Sequence, residues 1–584
     1  MRPRPPRVGL SRLWRYTGGR HGRLAVVMGL AALSAAAPVA GWYLVGDAVD
    51  NGIRASNETR LGLDVAAYVG VNAAAWLLGT TTWLWLARIG QQVVYEVRRD
   101  LFDHLTSLSL RYFSQQKAGW IIARLTSDVD ALSDVLNQGL TTLVVNSLTL
   151  VAAIGGLFLL DWRLGLVALC VTPVGILCTR WFQQTSHIAF SDVRTRIAAV
   201  TAQLAESVAG MAVVQAFNRE RAFQREFDDL NEANRRSNVY AQKLSSVFFP
   251  AIELLGVVAQ VAVLYAGARL IERGGLEIGT LIAAVGLLNL VFQPLQELSE
   301  LYGQVQSAAA AMVKISSVLD AERDITDRPG ARPMHRIDGH LELDGVTFAY
   351  GDEPVVHALE IDVPPGGCIA LVGESGGGKS TTAKLIARFY DPDSGSVRVD
   401  GTDLRSVELR SYRRQLGVVL QDPFLFSGTI ADNIRLARPD ATDDEVLEAA
   451  RAIGVDRVAA RFDEGLDHVV REGGAGLSAG ERQLISIARA LLADPRILIL
   501  DEATSNIDRP SEILIERAFD RLLAGRTSII VAHRLATVRR ADEILVLEHG
   551  RIAQRGTEEE LLAQPGPFRR LAETLGATLA ERVA

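Results

Sequence analysis

Gly373-Glu374-Ser375-Gly376-Gly377-Gly378-Lys379-Ser380 follows the apolar run Cys368 to Val372 and precedes a helix that the sequence begins near Thr381. Glycines let successive backbone N–H groups curl around phosphate oxygens. Lys379 is then placed to neutralise the β and γ phosphates of a nucleotide, and Ser380 to offer a hydroxyl to Mg2+. A glycine-rich turn made only for packing rarely carries a Lys-Ser pair between a strand and a helix. The loop therefore predicts a phosphate-binding α/β fold.

Around it, β-branched runs at Leu341 to Phe348, Cys368 to Val372, Ile497 to Leu500 and Thr527 to Val531 alternate with helical stretches, the pattern of a largely parallel core sheet. Ile497-Leu498-Ile499-Leu500-Asp501-Glu502 is an apolar strand ending in two carboxylates. Beside a phosphate loop, such a strand brings Asp501 to the magnesium shell and Glu502 to the attacking water. Without the loop, two acids after a buried strand are an ordinary loop start.

Upstream the chain changes character. The composition is 48% apolar and 22% charged, but the apolar residues are concentrated before about residue 320. Segments near 24–47, 62–87, 140–160, 163–182, 248–271 and 278–299 are mostly apolar. At about 20 residues each they can cross a bilayer as helices. A buried helical bundle is the plainer alternative, and six such runs in one half of a chain argue against it. The predicted fold class is a six-helix α-helical transmembrane domain followed by an α/β phosphate-loop domain.

The expected organisation is an N-terminal segment 1–23, a transmembrane domain 24–321 with cytoplasmic loops 88–139 and 183–247, a linker 322–337 containing Pro329 and Pro333, and a nucleotide-binding domain 338–584. Residues 1–23 carry Arg2, Arg4, Arg7, Arg12, Arg15, Arg20 and Arg23 without an acid, which places this end in the cytoplasm. No cleavable signal peptide is expected, and Leu10 to Tyr16 suits an interfacial helix. The long loops keep helical periodicity and would project roughly 30 Å or more. A net charge of -7 gives no basic surface for nucleic acid. Cys170 and Cys178 stand about 12 Å apart along one helix and Cys368 is remote, so no disulfide is implied.

Leu477-Ser478-Ala479-Gly480-Glu481-Arg482-Gln483 precedes the helix from Leu484 to Leu492 and resembles the signature loop of the ATP-binding cassette superfamily, usually Leu-Ser-Gly-Gly-Gln. The resemblance covers the whole chain, which looks like an exporter-type half-transporter with its membrane domain first. Gln421 resembles the switch glutamine, Ser505-Asn506-Ile507-Asp508 the D-loop, His533 the switch histidine and Tyr350 the aromatic residue that stacks on adenine. The resemblance implies ATP and Mg2+ as cofactors, with Glu502, His533 and Gln421 in catalysis. It implies nucleotide contacts from Tyr350, the loop Gly373 to Ser380, Thr381, Ser478, Gly480 and Asp508, and metal contacts from Ser380, Gln421 and Asp501.

In that family two cassettes close head to tail, so Ser478 and Gly480 would touch ATP held by a partner. Phe113 to Trp120 with Arg124 to Asp130, and Glu206 to Gly210 with Val214 to Glu220, resemble coupling helices seated in cassette grooves. A solvated helical face is the plainer reading of both. His468 to Gly474 departs from the loop that links cassette to coupling helix in many exporters, keeping only Glu472.

Ala479 stands where the signature has its first glycine, and Glu481 where it has glutamine. Together they would set a methyl and a negative charge near the partner's triphosphate. This chain's own phosphate side is complete, so the expectation is a heterodimer with one competent and one degenerate site, ahead of a homodimer. The expected setting is a bacterial inner membrane, spanned several times, with lipid and an amphipathic transport substrate as further partners. Asp64, Asn72, Asn146, Glu253, Gln260, Asn289 and Gln293 lie in or near the spans, where polar groups line a path or bond helix to helix. Glu253 is the leading candidate for substrate or proton contact, and Pro38, Pro173 and Pro294 are candidate kinks. Export of drugs, lipids or peptides is the leading function. Import on the same architecture, as by some siderophore transporters, is the alternative, and a soluble cassette ATPase is disfavoured by the spans.

Overall fold

The computed structural model describes residues 12–16, 18, 21–351, 353–501, 509–532 and 535–573. They form two compact units, one within Met1–Ser107 and Gln116–Ala321, the other within Leu108–Gln115 and Glu322–Ala584.

The first unit is helical. In chain order the helices before residue 320 are α1 (Leu13–Tyr16), α2 (His21–Asp47), α3 (Glu58–Ser107), α4 (Leu110–Gln115), α5 (Ala118–Leu125), α6 (Ser127–Asp134), α7 (Leu140–Leu160), α8 (Trp162–Ala209), α9 (Met211–Ala216), α10 (Glu220–Glu272) and α11 (Ile278–Leu319), all but α4 in this unit. Six of the described helices are long and apolar enough to cross a membrane. From α3, α8, α10 and α11 the helices continue without a break, as the periodicity predicts: α8 runs 27 residues beyond residue 182, about 40 Å. The arm before α7 is instead divided into α5, α6 and a π-helical turn. The helices also run on through Pro38, Pro173 and Pro294, and through Pro250 in α10.

Small residues let the apolar helices approach closely. A Cβ added to Gly279 would stand 2.0 Å from the Gly46 carbonyl oxygen, so α2 and α11 meet backbone to backbone there. The π-helical turn Ala48–Arg54 that follows α2 carries Asp50 to the head of α11. Its carboxylate accepts from the N–H groups of Gly279 at 2.8 Å and Thr280 at 3.2 Å, donors that a helix start leaves without partners.

Within Arg124 to Asp130, which resembles a coupling segment, Arg124, Asp128 and Val129 are buried in the helical unit while Thr126, Ser127 and Asp130 are exposed. Arg124 and Asp128, both buried, pair with one another, and Lys314 of α11 reaches Asp128 at 3.3 Å. The Arg124 guanidinium also lies 4.2 Å from the Trp120 ring centroid. Burial explains the pairing, because ions this deep need partners near at hand and α11 supplies one.

The second unit is α/β. Its strands are β1 (Leu341–Ala349), β2 (Pro354–Val363), β3 (Cys368–Val372), β4 (Ser394–Val399), β5 (Thr402–Asp403), β6 (Leu416–Val419), β7 (Gly428–Thr429), β8 (Val469–Val470), β9 (Ile497–Asp501), β10 (Thr527–Val531), β11 (Glu543–Glu548) and β12 (Arg551–Gly556). The six-stranded sheet has the order β12-β11-β3-β10-β9-β6, parallel except for the edge strand β12. A four-stranded antiparallel sheet has the order β2-β1-β4-β5. Near-continuous apolar runs such as Ile497 to Leu500 suit strands buried on both faces.

The segment Leu108–Gln115, which the sequence assigns to a cytoplasmic loop of the transmembrane domain, packs as part of this second unit. Ser109 donates to the Asp324 carboxylate at 2.8 Å. The Arg111 guanidinium lies 5.9 Å from the Phe348 ring centroid and 5.8 Å from that of Tyr390.

Candidate nucleotide site

Strand order builds the site. Because β10 lies between β3 and β9, Leu371, Val531 and Asp501 form one row across the sheet. The phosphate loop after β3 and the acidic end of β9 therefore leave the same edge, where ligands bind in parallel α/β sheets.

The loop needs glycine for two physical reasons. Gly378 has φ +96°, and from this left-handed position it caps α12 (Lys379–Ile386). The helix consequently starts at Lys379, earlier than the expected Thr381. Gly373 has φ +144°, and a Cβ there would fall 2.1 Å from the Leu547 carbonyl oxygen. Within the loop the Gly377 N–H donates to the Glu374 carbonyl at 3.1 Å. Glu374, Ser375 and Gly376 are exposed, whereas Gly377 and Gly378 are buried and Ser380 is half-buried.

Lys379 is 5% exposed and donates to the carbonyl oxygens of Gly373 and Glu374, both at 2.8 Å. Burial pulls its ammonium below the ordinary lysine value, and the nearby Asp501 carboxylate opposes that shift. Lys379 and Asp501 thus share one field, and a cation already close to a carboxylate at a helix head fits a nucleotide phosphate with its divalent metal. Thr381 is buried, and its hydroxyl is 3.3 Å from the Tyr350 hydroxyl. Tyr350 is 38% exposed, leaving ring surface open. Its ring is fixed edge-on by Phe348 at 5.0 Å and Tyr390 at 5.3 Å. Gln421 lies exposed just beyond β6. Glu502, Asp508 and His533, expected to act on the water, the nucleotide and the γ-phosphate, lie outside the described residues.

Ser478 and Gly480 stand at a second helix head, that of Ala479–Leu492, with no hydrogen bond to the phosphate loop among the described residues. Here the expected charge is corrected. Glu481 is 6% exposed, and its Oε2 accepts from the Ser478 N–H at 2.8 Å while its own N–H donates to the Ser478 hydroxyl at 3.2 Å. Its Oε1 pairs with Arg461. The carboxylate closes a capping box and is neutralised, so it presents no bare charge to a partner's triphosphate. The Ser478 hydroxyl accepts that N–H and keeps its proton to donate. Arg461 was not singled out in the sequence. The Ser-x-x-Glu spacing was the available signal for the cap, and nothing local marks an arginine 20 residues upstream.

In the helical unit, Asn146 of α7 donates to Glu297 Oε2 of α11 at 2.7 Å, and Gln293 donates to Glu297 Oε1 at 3.1 Å. Gln260 of α10 donates to Asn289 at 2.5 Å, whereas Asn72 bonds within its own helix. Glu253 is exposed on α10. Asp64 is buried with Arg60 3.5 Å away. Glu297, the acceptor at the centre of the first cluster, was not anticipated.

These features define an ABC transporter of exporter type, a half-transporter with fused membrane and nucleotide-binding domains, and the chain belongs to that family: residues 24–295 match the ABC transporter transmembrane region and residues 356–505 the ABC transporter family. A fatty acid ABC transporter ATP-binding/permease protein of Mycobacterium bovis is 37% identical over 519 residues, covering 88% of this chain and 81% of the relative. An ATP-dependent lipid A-core flippase of Syntrophus aciditrophicus is 35% identical over 483 residues, covering 83% and 80%. A bacterial Atm1-family ABC exporter solved with ATP bound superposes with a TM-score of 0.80 at 27% identity, covering 95% of this chain and 98% of that one.

Proposed function

We propose that this chain hydrolyses ATP to export amphipathic molecules, such as lipids, drugs or peptides, across a bacterial inner membrane by alternating access. The carrying observation is the phosphate loop on the same sheet edge as Asp501, in a chain that also holds six membrane-length helices. The fatty acid transporter and the lipid flippase among the relatives support an amphipathic cargo, and the flippase and exporter support export over import. The basic residues 1–23 support a cytoplasmic N-terminus and cassette.

In this reading Lys379 pairs with the β and γ phosphates, and Tyr350 offers its ring to adenine. Ser380, Gln421 and Asp501 would hold Mg2+, which supplies neutralisation of phosphate charge. Glu502 orients the attacking water, and His533 holds the γ-phosphate in line. Ser478 and Gly480 close on ATP held by the opposite cassette.

For the partner half, a second copy of this chain is the reading best supported, because Glu481 is neutralised by Arg461. Ala479 alone still favours the heterodimer. Steady-state ATP hydrolysis by the complex that co-purifies with this chain separates the two. In a homodimer Glu502→Gln and Ser478→Ala are comparably severe. Much milder loss from Ser478→Ala, or a second cassette protein in stoichiometric amount, identifies the heterodimer. ATP-driven uptake into inside-out vesicles tests direction: accumulation inside means export, and depletion means import.

A further inference from the structure

Asn289, Gln293 and Glu297 recur at every fourth residue and so share one face of α11 over about 12 Å. Asn289 and Gln293 are exposed and Glu297 is half-buried, although α11 is apolar enough over Ile278–Leu295 to cross a membrane. Bilayer hydrocarbon disfavours such a stripe, so it belongs to an interface or a path. Glu297 is its only carboxylate. Both its oxygens accept from amides, Nδ2 of Asn146 and Nε2 of Gln293, which orient the group and bring no compensating charge. Among the described residues no Lys, Arg or His pairs with it.

The neighbouring surface has the complementary character. Gln260 ties α10 to Asn289, and Val257, Val261 and Leu264 share the face of α10 that carries Gln260. All three are exposed. Because α10 and α11 are antiparallel neighbours, Val257 lies on the Glu297 side of the Gln260–Asn289 contact, and Val261 and Leu264 lie beyond it. The apolar strip thus flanks the Asn289 end of a line of hydrogen-bonding groups whose other end is a carboxylate held in place.

We propose that Glu297 is the charge-selecting residue of a substrate site for cationic amphiphiles. The positive group pairs with Glu297 where Asn146 and Gln293 hold it, and the apolar body extends from there past Val257 toward Val261 and Leu264. This rests on the transport reading above and assigns the substrate class to a particular carboxylate. Glu297 takes the place of Glu253, which is exposed without such support.

The test uses the full chain in proteoliposomes, with its co-purifying partner, and follows ligand-stimulated ATP hydrolysis. The probes are tetraphenylphosphonium and triphenylphosphine oxide, one a cation and the other neutral. Glu297→Gln is expected to raise the half-maximal tetraphenylphosphonium concentration about tenfold or more, with the neutral probe shifting by less than about twofold. Glu297→Asp should recover part of the cation response, and Asn146→Ala should weaken it a few-fold without the same effect on the neutral probe. Equal shifts for both probes would make Glu297 a packing residue and overturn the proposal. So would a cation effect that follows Glu253→Gln instead, or a wild-type protein that hydrolyses ATP but does not respond to tetraphenylphosphonium. A wild-type protein that hydrolyses no ATP at all removes the transport reading itself.

Discussion

The phosphate edge of the cassette and the polar stripe of α11 satisfy polar groups in opposite ways. At the cassette edge the partners are close in sequence: Lys379 bonds to Gly373 and Glu374, and Ser478 and Glu481 cap one helix turn. In the helical unit they are remote, with Asn146 and Glu297 separated by 151 residues and Gln260 and Asn289 by 29. Water reaches the cassette edge, so a local loop can be completed by ligand and solvent. Apolar helices have no such solvent, so their polar groups must meet one another or a passenger. A substitution in the first region should therefore act on one ligand, whereas one in the second should act on helix packing or on selectivity.

The largest expected effect belongs to the loop. Lys379→Ala removes the cation at the phosphate position and should lower affinity for a fluorescent ATP analogue by about a hundredfold or more, with transport lost as well. Unchanged affinity in the purified complex would refute the phosphate-loop assignment.

Next comes helix contact. Gly279→Ala places a methyl 2.0 Å from the Gly46 carbonyl oxygen and must push α2 from α11, at a cost of about 1–3 kcal/mol. Thermal unfolding in detergent should register a lower Tm, while Gly303→Ala, with open space at its Cβ, should not. Equal Tm values for the two variants would mean that the backbone contact between α2 and α11 contributes little.

A smaller effect concerns the signature helix. Arg461→Ala leaves the buried Glu481 carboxylate without its cation and should destabilise the cassette by about 1–2 kcal/mol. Glu481→Gln keeps a capping oxygen and should be nearly neutral, and the pair should show coupling in a double-mutant cycle. Wild-type hydrolysis in Glu481→Gln fits a neutralised carboxylate. A marked rise in rate would restore the picture of a charge facing the partner's nucleotide.

The smallest effect is a pH dependence at the antiparallel sheet. His340 bonds to Asp362 at 2.6 Å, and that bond raises its pKa; partial burial opposes the rise, and the charges of Asp362, Glu342 and Asp400 add smaller upward contributions. A raised folded-state pKa means that the stabilisation is complete below the unfolded value of about 6.5 and fades as pH rises through the higher folded value. The pair is largely exposed, so the contribution is about 0.5 kcal/mol or less. His340→Gln should flatten that part of the stability profile and leave it unchanged at alkaline pH.

The two regions also differ in how far they could be read from residues alone. The phosphate loop, the Asp501 strand and the six spans were legible because each is a local pattern: a loop that backbone geometry dictates, a buried strand, a run as long as a bilayer is thick. Asn146, Gln260, Asn289 and Gln293 were recognised as costly polar groups, but their pairing was not, since nothing in local spacing shows which helices touch. Glu297 was passed over although it lies inside the sixth predicted segment, 278–299, because an acid near the end of an apolar run looks like an ordinary helix end. Glu481 was read as a charge aimed at a partner's phosphates because the substitution was weighed without Arg461. The burial of Arg124 and Asp128 was hidden for the same reason, as both look solvated until Lys314 of α11 is placed beside them.

The central claim is that each ATP site is completed by a second half, with Lys379 from one chain and Ser478 from the other. It is tested most directly by mixing. Chains carrying Lys379→Ala and chains carrying Ser478→Ala are purified separately, combined in detergent, reconstituted together and assayed for ATP hydrolysis. If two copies of this chain share their sites, each variant alone is nearly inactive and the mixture regains hydrolysis, because mixed dimers contain one intact site. Full hydrolysis by the Ser478→Ala chain alone, or no recovery on mixing although the two variants co-purify, would contradict the claim.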